Sequence, residues 1–169
     1  WKPYNFSGTL DGNGHTIYNL RIERDSESYY GLTGSLNGSI KNLTVSGVNI
    51  KTSDSNVGVI AGQFDGNGSI ENCNIILSSG SVLQGQSSVG GIVGYYTPKN
   101  ANIENCIVKT DDECVAISGV NGVGGIVGRS LGSNINNCKV YCNIIGDRNI
   151  GGILGGNVYS YSSTYYSIN

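Results

Sequence analysis

Two carboxylates stand where a sugar-cleaving enzyme could use them. Glu71 lies in Ile70-Glu71-Asn72-Cys73-Asn74-Ile75, and Glu104 in Ile103-Glu104-Asn105-Cys106-Ile107-Val108. If these hexapeptides stack as neighbouring strands, the two glutamates occupy one column with their backbones about 5 Å apart, near the spacing of a retaining glycosidase pair. Other repeats carry Tyr18, Lys41 and Asn136 at what reads as the same position, a mixture typical of a solvated face. Asp111-Asp112-Glu113 is a second acidic group, with Lys109 the near basic residue. It could hold calcium, but a solvated turn accounts for it equally. Asp11-Gly12-Asn13-Gly14 and Asp65-Gly66-Asn67-Gly68 look like calcium loops, yet lack the further spaced oxygens and distal Glu of such loops. A tight turn before the Ile of the following strand explains both.

The remaining chemistry narrows quickly. His15 is the single histidine, so a zinc-peptidase helix with two His is excluded. No nucleophile elbow surrounds any Ser. Of the five cysteines, Cys73, Cys106 and Cys138 have neither CxxC spacing nor His partners, so zinc is disfavoured. Cys114 and Cys142 fall near each other one residue out of register, so a bridge between them is open but not favoured. Eleven tyrosines offer surfaces for sugars or proteins. Tyr95 and Tyr96 are the binding candidates. Tyr159, Tyr161, Tyr165 and Tyr166 read as a cover for the C-terminal end. No catalytic residue, metal or cofactor is assigned.

These residues belong to a chain that repeats. Val123-Gly124-Gly125-Ile126-Val127-Gly128 recurs at Val89 to Gly94 and as Ile150-Gly151-Gly152-Ile153-Leu154-Gly155. Looser copies are Val57-Gly58-Val59-Ile60-Ala61-Gly62 and Tyr29-Tyr30-Gly31-Leu32-Thr33-Gly34. The copies start at positions 29, 57, 89, 123 and 150, a period characteristic of a solenoid. Ile60, Ile92, Ile126 and Ile153 share one position, next to glycines, and are expected to face a tightly packed interior.

A second motif reads Ile, any residue, Asn, Leu or Cys, any residue, then Ile or Val. It begins at Ile17, Ile40, Ile70, Ile103 and Ile135. The last two apolar positions share one strand face, whereas the first is out of phase with them. The chain must bend at the Asn, a residue that tolerates the left-handed conformation. Asn19, Asn42, Asn72, Asn105 and Asn137 are therefore expected to stack as an amide ladder. Leu20, Leu43, Cys73, Cys106 and Cys138 should form an interior column beside it, with the cysteines acting as small hydrophobes.

Composition agrees with the repeats. Beta-branched residues with 27 Gly and abundant Asn and Ser point to an all-beta chain. The expected fold is a single-domain parallel β-helix over 1–169, right-handed, with about three strands per coil and four to five coils. The coils run roughly 5–28, 29–56, 57–88, 89–122 and 123–149, with a partial coil or cap at 150–169. Charged residues are only 13%, and the net charge of −2 supplies no basic face for nucleic acid. No apolar run approaches the ~20 residues of a membrane span. Trp1 begins in mid-pattern without a signal peptide, as expected of a segment from a larger parent chain.

The repeats resemble the GLUG motif, named for Gly-Leu-any-Gly. Gly31-Leu32-Thr33-Gly34 matches literally. Gly91-Ile92-Val93-Gly94, Gly125-Ile126-Val127-Gly128 and Gly152-Ile153-Leu154-Gly155 match with Ile for Leu, and Val59-Ile60-Ala61-Gly62 departs at its first Gly. Phe6 to Ile17 is similar to the first coil that precedes such repeats. The family occurs in large secreted or surface-anchored bacterial proteins, including adhesin-like proteins and immunoglobulin A metallopeptidases, where the repeats lie outside the zinc domain. The resemblance implies a non-catalytic extracellular adhesion or stalk module, with a host protein or glycan as partner. The alternative is a carbohydrate-active β-helix using Glu71 and Glu104.

Overall fold

The computed structural model describes residues 3–23, 25, 29–132, 134–157 and 167–168. Among them every regular element is a strand, and every strand pairing is parallel. The chain winds through about four turns of a β-solenoid. One coil shows the pattern. Ser87–Gly90 turns sharply into Val93–Tyr96, a loop leads to Asn102–Glu104, a corner to Ile107–Thr110, and a second bend to Ala116–Ser118. The three apolar segments read from sequence thus divide into five short strands.

Stacking these strands gives four sheets. The first contains Thr9–Asp11, Ser39–Lys41, Ser69–Glu71, Asn102–Glu104, Asn134–Asn136 and Ser167–Ile168. The second has Thr16–Ile22 and Thr44–Lys51 running its full width. Above them it divides into Asn74–Leu77, Ile107–Thr110 and Lys139–Tyr141 on one side, and Val82–Gln84, Ala116–Ser118 and Asn143–Ile145 on the other. The third contains Val57–Gly58, Ser87–Gly90, Asn121–Gly124 and Arg148–Gly151. The fourth contains Thr33–Leu36, Ala61–Phe64, Val93–Tyr96, Val127–Ser130 and Leu154–Asn157.

Alternation along each strand sends one set of side chains into the solenoid. Ile40, Ile70 and Ile103 form one fully buried column, and Val45, Ile75 and Val108 another. Ile60, Ile92 and Ile126 are fully buried, whereas Ile153, in the last described coil, is partly exposed. The carbonyls of Ile92, Ile126 and Ile153 each accept two amides from the coil below, as when Ile92 and Val93 both donate to Ile126. The glycines beside them let adjacent turns close up. A Cβ on Gly125 would lie 2.1 Å from the carbonyl oxygen of Gly152 in the next coil.

The Asn corner is present, with one correction. Asn42, Asn72, Asn105 and Asn137 all have φ between 51° and 54°. The Asn72 amide donates to Asn42 Oδ1 at 3.1 Å, and Asn137 donates to Asn105 Oδ1 at 2.6 Å. Asn19 does not belong to this column. The strand Thr16–Ile22 lies against Thr44–Lys51, with Leu20 opposite Val48 and Ile22 opposite Ile50. Asn19 is left-handed too, at φ 56°, but it faces Gly47, whose φ is 73°. Leu20 consequently stands below Val48 rather than below Leu43 and the cysteines. The place below Asn42 is taken by the turn Asp11-Gly12-Asn13-Gly14, where Asp11 Oδ1 accepts the Asn42 amide at 3.0 Å. The misplacement has a physical origin. Any left-handed residue shifts strand alternation by one, so the apolar pattern reports a bend without saying which bend.

Candidate functional site

Glu71 and Glu104 are direct register partners on the outer surface of the first sheet. Their column runs Asp11, Lys41, Glu71, Glu104, Asn136, so Asp11 and not Tyr18 is its first member. Lys41 Nζ lies 3.4 Å from Asp11 Oδ2. The Glu104 carboxylate accepts a hydrogen bond from the Asn102 amide on its own strand. Both glutamates are partly exposed on an open sheet face. The register sets the two glutamate backbones one strand spacing apart, about 4.8 Å.

The other acidic and histidine positions are built into turns. His15 is exposed, its amide donates to the Gly12 carbonyl, and its carbonyl receives the Thr44 amide. Asp112 Oδ1 accepts the Cys114 amide at 2.9 Å. That bond, with the Ser79 hydroxyl, holds the Asp112 carboxyl below its usual range. Asp11 is lowered chiefly by the Asn42 amide, then by the Asn13 backbone amide. Asp25 is lowered by the Ser53 amide and the Thr52 hydroxyl. Among the described residues no group of three or more His, Cys, Asp and Glu is placed to hold a metal ion.

Cys73, Cys106 and Cys138 stack beneath the Asn ladder. Cys73 and Cys106 are fully buried, and Cys138 is partly exposed near the end of the stack. Their thiols point at backbone carbonyls, Cys106 Sγ lying 3.2 Å from the Glu104 oxygen and 3.6 Å from that of Ile70. The neighbouring thiols and burial together push the Cys106 thiol far up. Fully buried, Cys73 and Cys106 serve as small packing groups closed to reagents in the folded chain. Ala116 pairs with Asn143, so Cys142 faces Val115 while the exposed Cys114 sits one residue away. Burial raises the Cys142 thiol to about 11.

The two tyrosines proposed for binding separate here. Tyr96 is a core residue: it is fully buried, its hydroxyl donates to the Ala101 carbonyl at 2.7 Å, and its ring stacks on Phe64 with centroids 5.3 Å apart. Tyr96 is therefore withdrawn as a contact residue, because alternation along Val93–Tyr96 points it inward. Tyr95 points outward, half-buried, between Gln63 and Arg129 in register. Tyr159, Tyr161, Tyr165 and Tyr166 lie outside the described residues.

Two features escape a reading of the motifs. The first is another column of left-handed residues, Asn56, Ser88, Gly122 and Asn149, at φ 61°, 53°, 68° and 52°. They form a second corner, and the Asn149 amide donates to Asn121 Oδ1 at 2.8 Å. Their residue types differ, so only the shared conformation links them. The second is an outward column of the second sheet: Tyr18, Ser46, Ile76, Lys109 and Tyr141. Tyr18 and Tyr141 are 71% and 60% exposed. They occupy one column only once Thr16–Ile22 is paired correctly.

The fold and its surface columns define a parallel β-solenoid repeat module. No family model matches the chain. Over 94 residues, 54% of its length, it is 43% identical to halomucin of Haloquadratum walsbyi, of which it spans 1%. Its fold is similar to a crystal structure of an immunoglobulin A1 protease candidate from Bacteroides ovatus, with a TM-score of 0.70 and 24% identity. That alignment covers 89% of this chain and 47% of the other, and at this identity it bears on fold alone.

Proposed function

We propose that the chain is a non-catalytic module of an extracellular, secreted or cell-surface protein, serving as an adhesive surface or a structural stalk within a larger parent chain. The observation that carries this reading is the coil-to-coil register, with apolar columns sealed inside and columns of mixed polar, charged and aromatic residues outside. Such a rod offers long flat faces and defined reach. The similarity to a small part of a far longer protein named as a mucin supports a modular surface role. The Gly-Leu/Ile-any-Gly copies support kinship with GLUG-type repeats. Among the described residues no helix is long and apolar enough to cross a membrane. A glycan and host-protein array probed with the folded chain tests the adhesive form: specific, saturable hits support it, and a clean blank leaves the stalk.

A second reading has one observation in its favour, the register pairing of Glu71 with Glu104. As a carbohydrate-active site, this pair would make sugar cleavage collapse in Glu71→Gln and Glu104→Gln. No cleavage by the intact chain removes that reading.

A further inference from the structure

We infer that the outward face of the second sheet binds an extended acidic polysaccharide laid along the coil axis; this deepens the adhesive reading above and depends on it. The face is set by register. Tyr18, Ser46, Ile76, Lys109 and Tyr141 form one outward column, and the residues two positions earlier on the same strands form the next: Thr16, Thr44, Asn74, Ile107 and Lys139. Strands cross the axis, so each column runs along it, and Tyr18 and Tyr141 are four strand spacings apart, roughly 19 Å.

The chemistry of these columns fits a sugar chain. A pyranose presents an apolar face of C–H groups and a rim of hydroxyls. It therefore asks for flat aromatic or apolar plates interleaved with small polar groups. Exposed tyrosines supply large, stiff contact area at low entropic cost. Here the tyrosines bracket a strip with Ile76 and Ile107 as further plates and Thr44, Ser46 and Asn74 as hydrogen-bonding groups. A sugar unit also repeats along an extended glycan at nearly the strand spacing, so successive units meet successive coils.

Charge selects an acidic chain. Neither column contains a carboxylate. Tyr141 has Lys109 as its register partner and Lys139 two residues earlier on the same face, and both lysines are exposed. The acids Asp11, Glu71 and Glu104 lie around the Asn corner on the first sheet. Asp111, Asp112 and Glu113 follow Lys109 in the turn beyond, where Asp112 is engaged by the Cys114 amide and Glu113 borders Tyr141 in a hollow of about 440 Å³, so the basic part of the face is confined to Lys109 and Lys139. Two lysines on a chain of net charge −2 suit spaced carboxylates or sulfates better than the dense phosphates of nucleic acid.

Affinity electrophoresis of the full chain through gels holding polygalacturonate, with dextran as the neutral control, tests this. The expected result is retardation by polygalacturonate alone, weakening as salt is raised. Tyr141→Ala and Lys109→Glu should each reduce affinity by about tenfold or more, while Tyr4→Ala, at an exposed tyrosine outside these columns, leaves it unchanged. All three positions face outward, and unchanged melting temperatures verify intact folds. Equal retardation by dextran, or retention indifferent to Tyr141→Ala and Lys109→Glu, overturns the inference. An array hit on another glycan or protein that ignores both variants also overturns it, but leaves the adhesive reading standing. A blank on polygalacturonate and on the array overturns both.

Discussion

At the residue scale, this fold depends on positions where the backbone turns left-handed. A non-glycine residue pays about 1–2 kcal/mol for that conformation. Asn is tolerated because its short amide bonds locally, and in a solenoid that amide also reaches the next coil. Asn105→Ala should therefore destabilise by about 2 kcal/mol, combining strain with a lost amide rung. Asn105→Gly should cost visibly less, because only the rung is lost, and chemical denaturation distinguishes the two. Ser88 lacks an amide at φ 53°, so Ser88→Gly is expected to be neutral or mildly stabilising.

Acid acts at the same scale. The carboxyls of Asp11, Asp25 and Asp112 are all held below the usual 3.8 by hydrogen bonds present only in the folded chain. A lowered folded value contributes stability above the unfolded value, and that contribution is lost as pH falls through the folded ones. The melting temperature should hold down to the ordinary carboxylate range and decline below it, and Asp11→Asn should flatten part of that decline. The Asn corner was legible in the sequence because one residue type recurs there. The second corner was not, because Asn, Ser and Gly share its conformation without sharing a motif.

At the element scale, strands of three or four residues cannot hold a sheet alone, and close approach between turns compensates. Gly124 shows the tolerance: a Cβ there would meet the Val127 carbonyl oxygen of its own coil at 2.0 Å and the Gly155 amide nitrogen of the next coil at 2.6 Å. Gly124→Ala is expected to cost about 3 kcal/mol, since backbone must move, read as a lower denaturation midpoint. The inward columns make a second prediction. A thiol reagent should label the exposed Cys114 quickly in the native chain, whereas Cys73 and Cys106 should wait for unfolding. Fast labelling of Cys106 would contradict its place in the core. Element identity was readable from alternation and beta-branched content. The first coil was misread because Ile17-Tyr18-Asn19-Leu20-Arg21-Ile22 imitates the corner motif while lying along the following sheet. The motif alone aligns Tyr18 with the glutamates, whereas the register aligns it with Tyr141. Tyr96 was misjudged for a simpler reason: adjacent residues on a strand face opposite ways, and sequence alone did not fix which of the pair turned inward.

At the scale of the whole molecule, the solenoid converts a repeat into a ruler. Each coil contributes one residue to each outer column, so a ligand that repeats along the axis can be met coil by coil. The solenoid architecture was legible from five phased copies of one motif. The binding face was not, because it is made by residues four coils apart that share no motif. Its members are ordinary surface residues until register places them in line. The central claim is that this surface holds a ligand and leaves it intact. The most direct measurement incubates the folded chain with a panel of acidic and neutral polysaccharides and follows bound protein and new chain ends together. The account predicts saturable binding to an acidic polymer with no new chain ends. Chain ends that accumulate with the intact protein and disappear with Glu71→Gln and Glu104→Gln would contradict it and make the paired glutamates an active site.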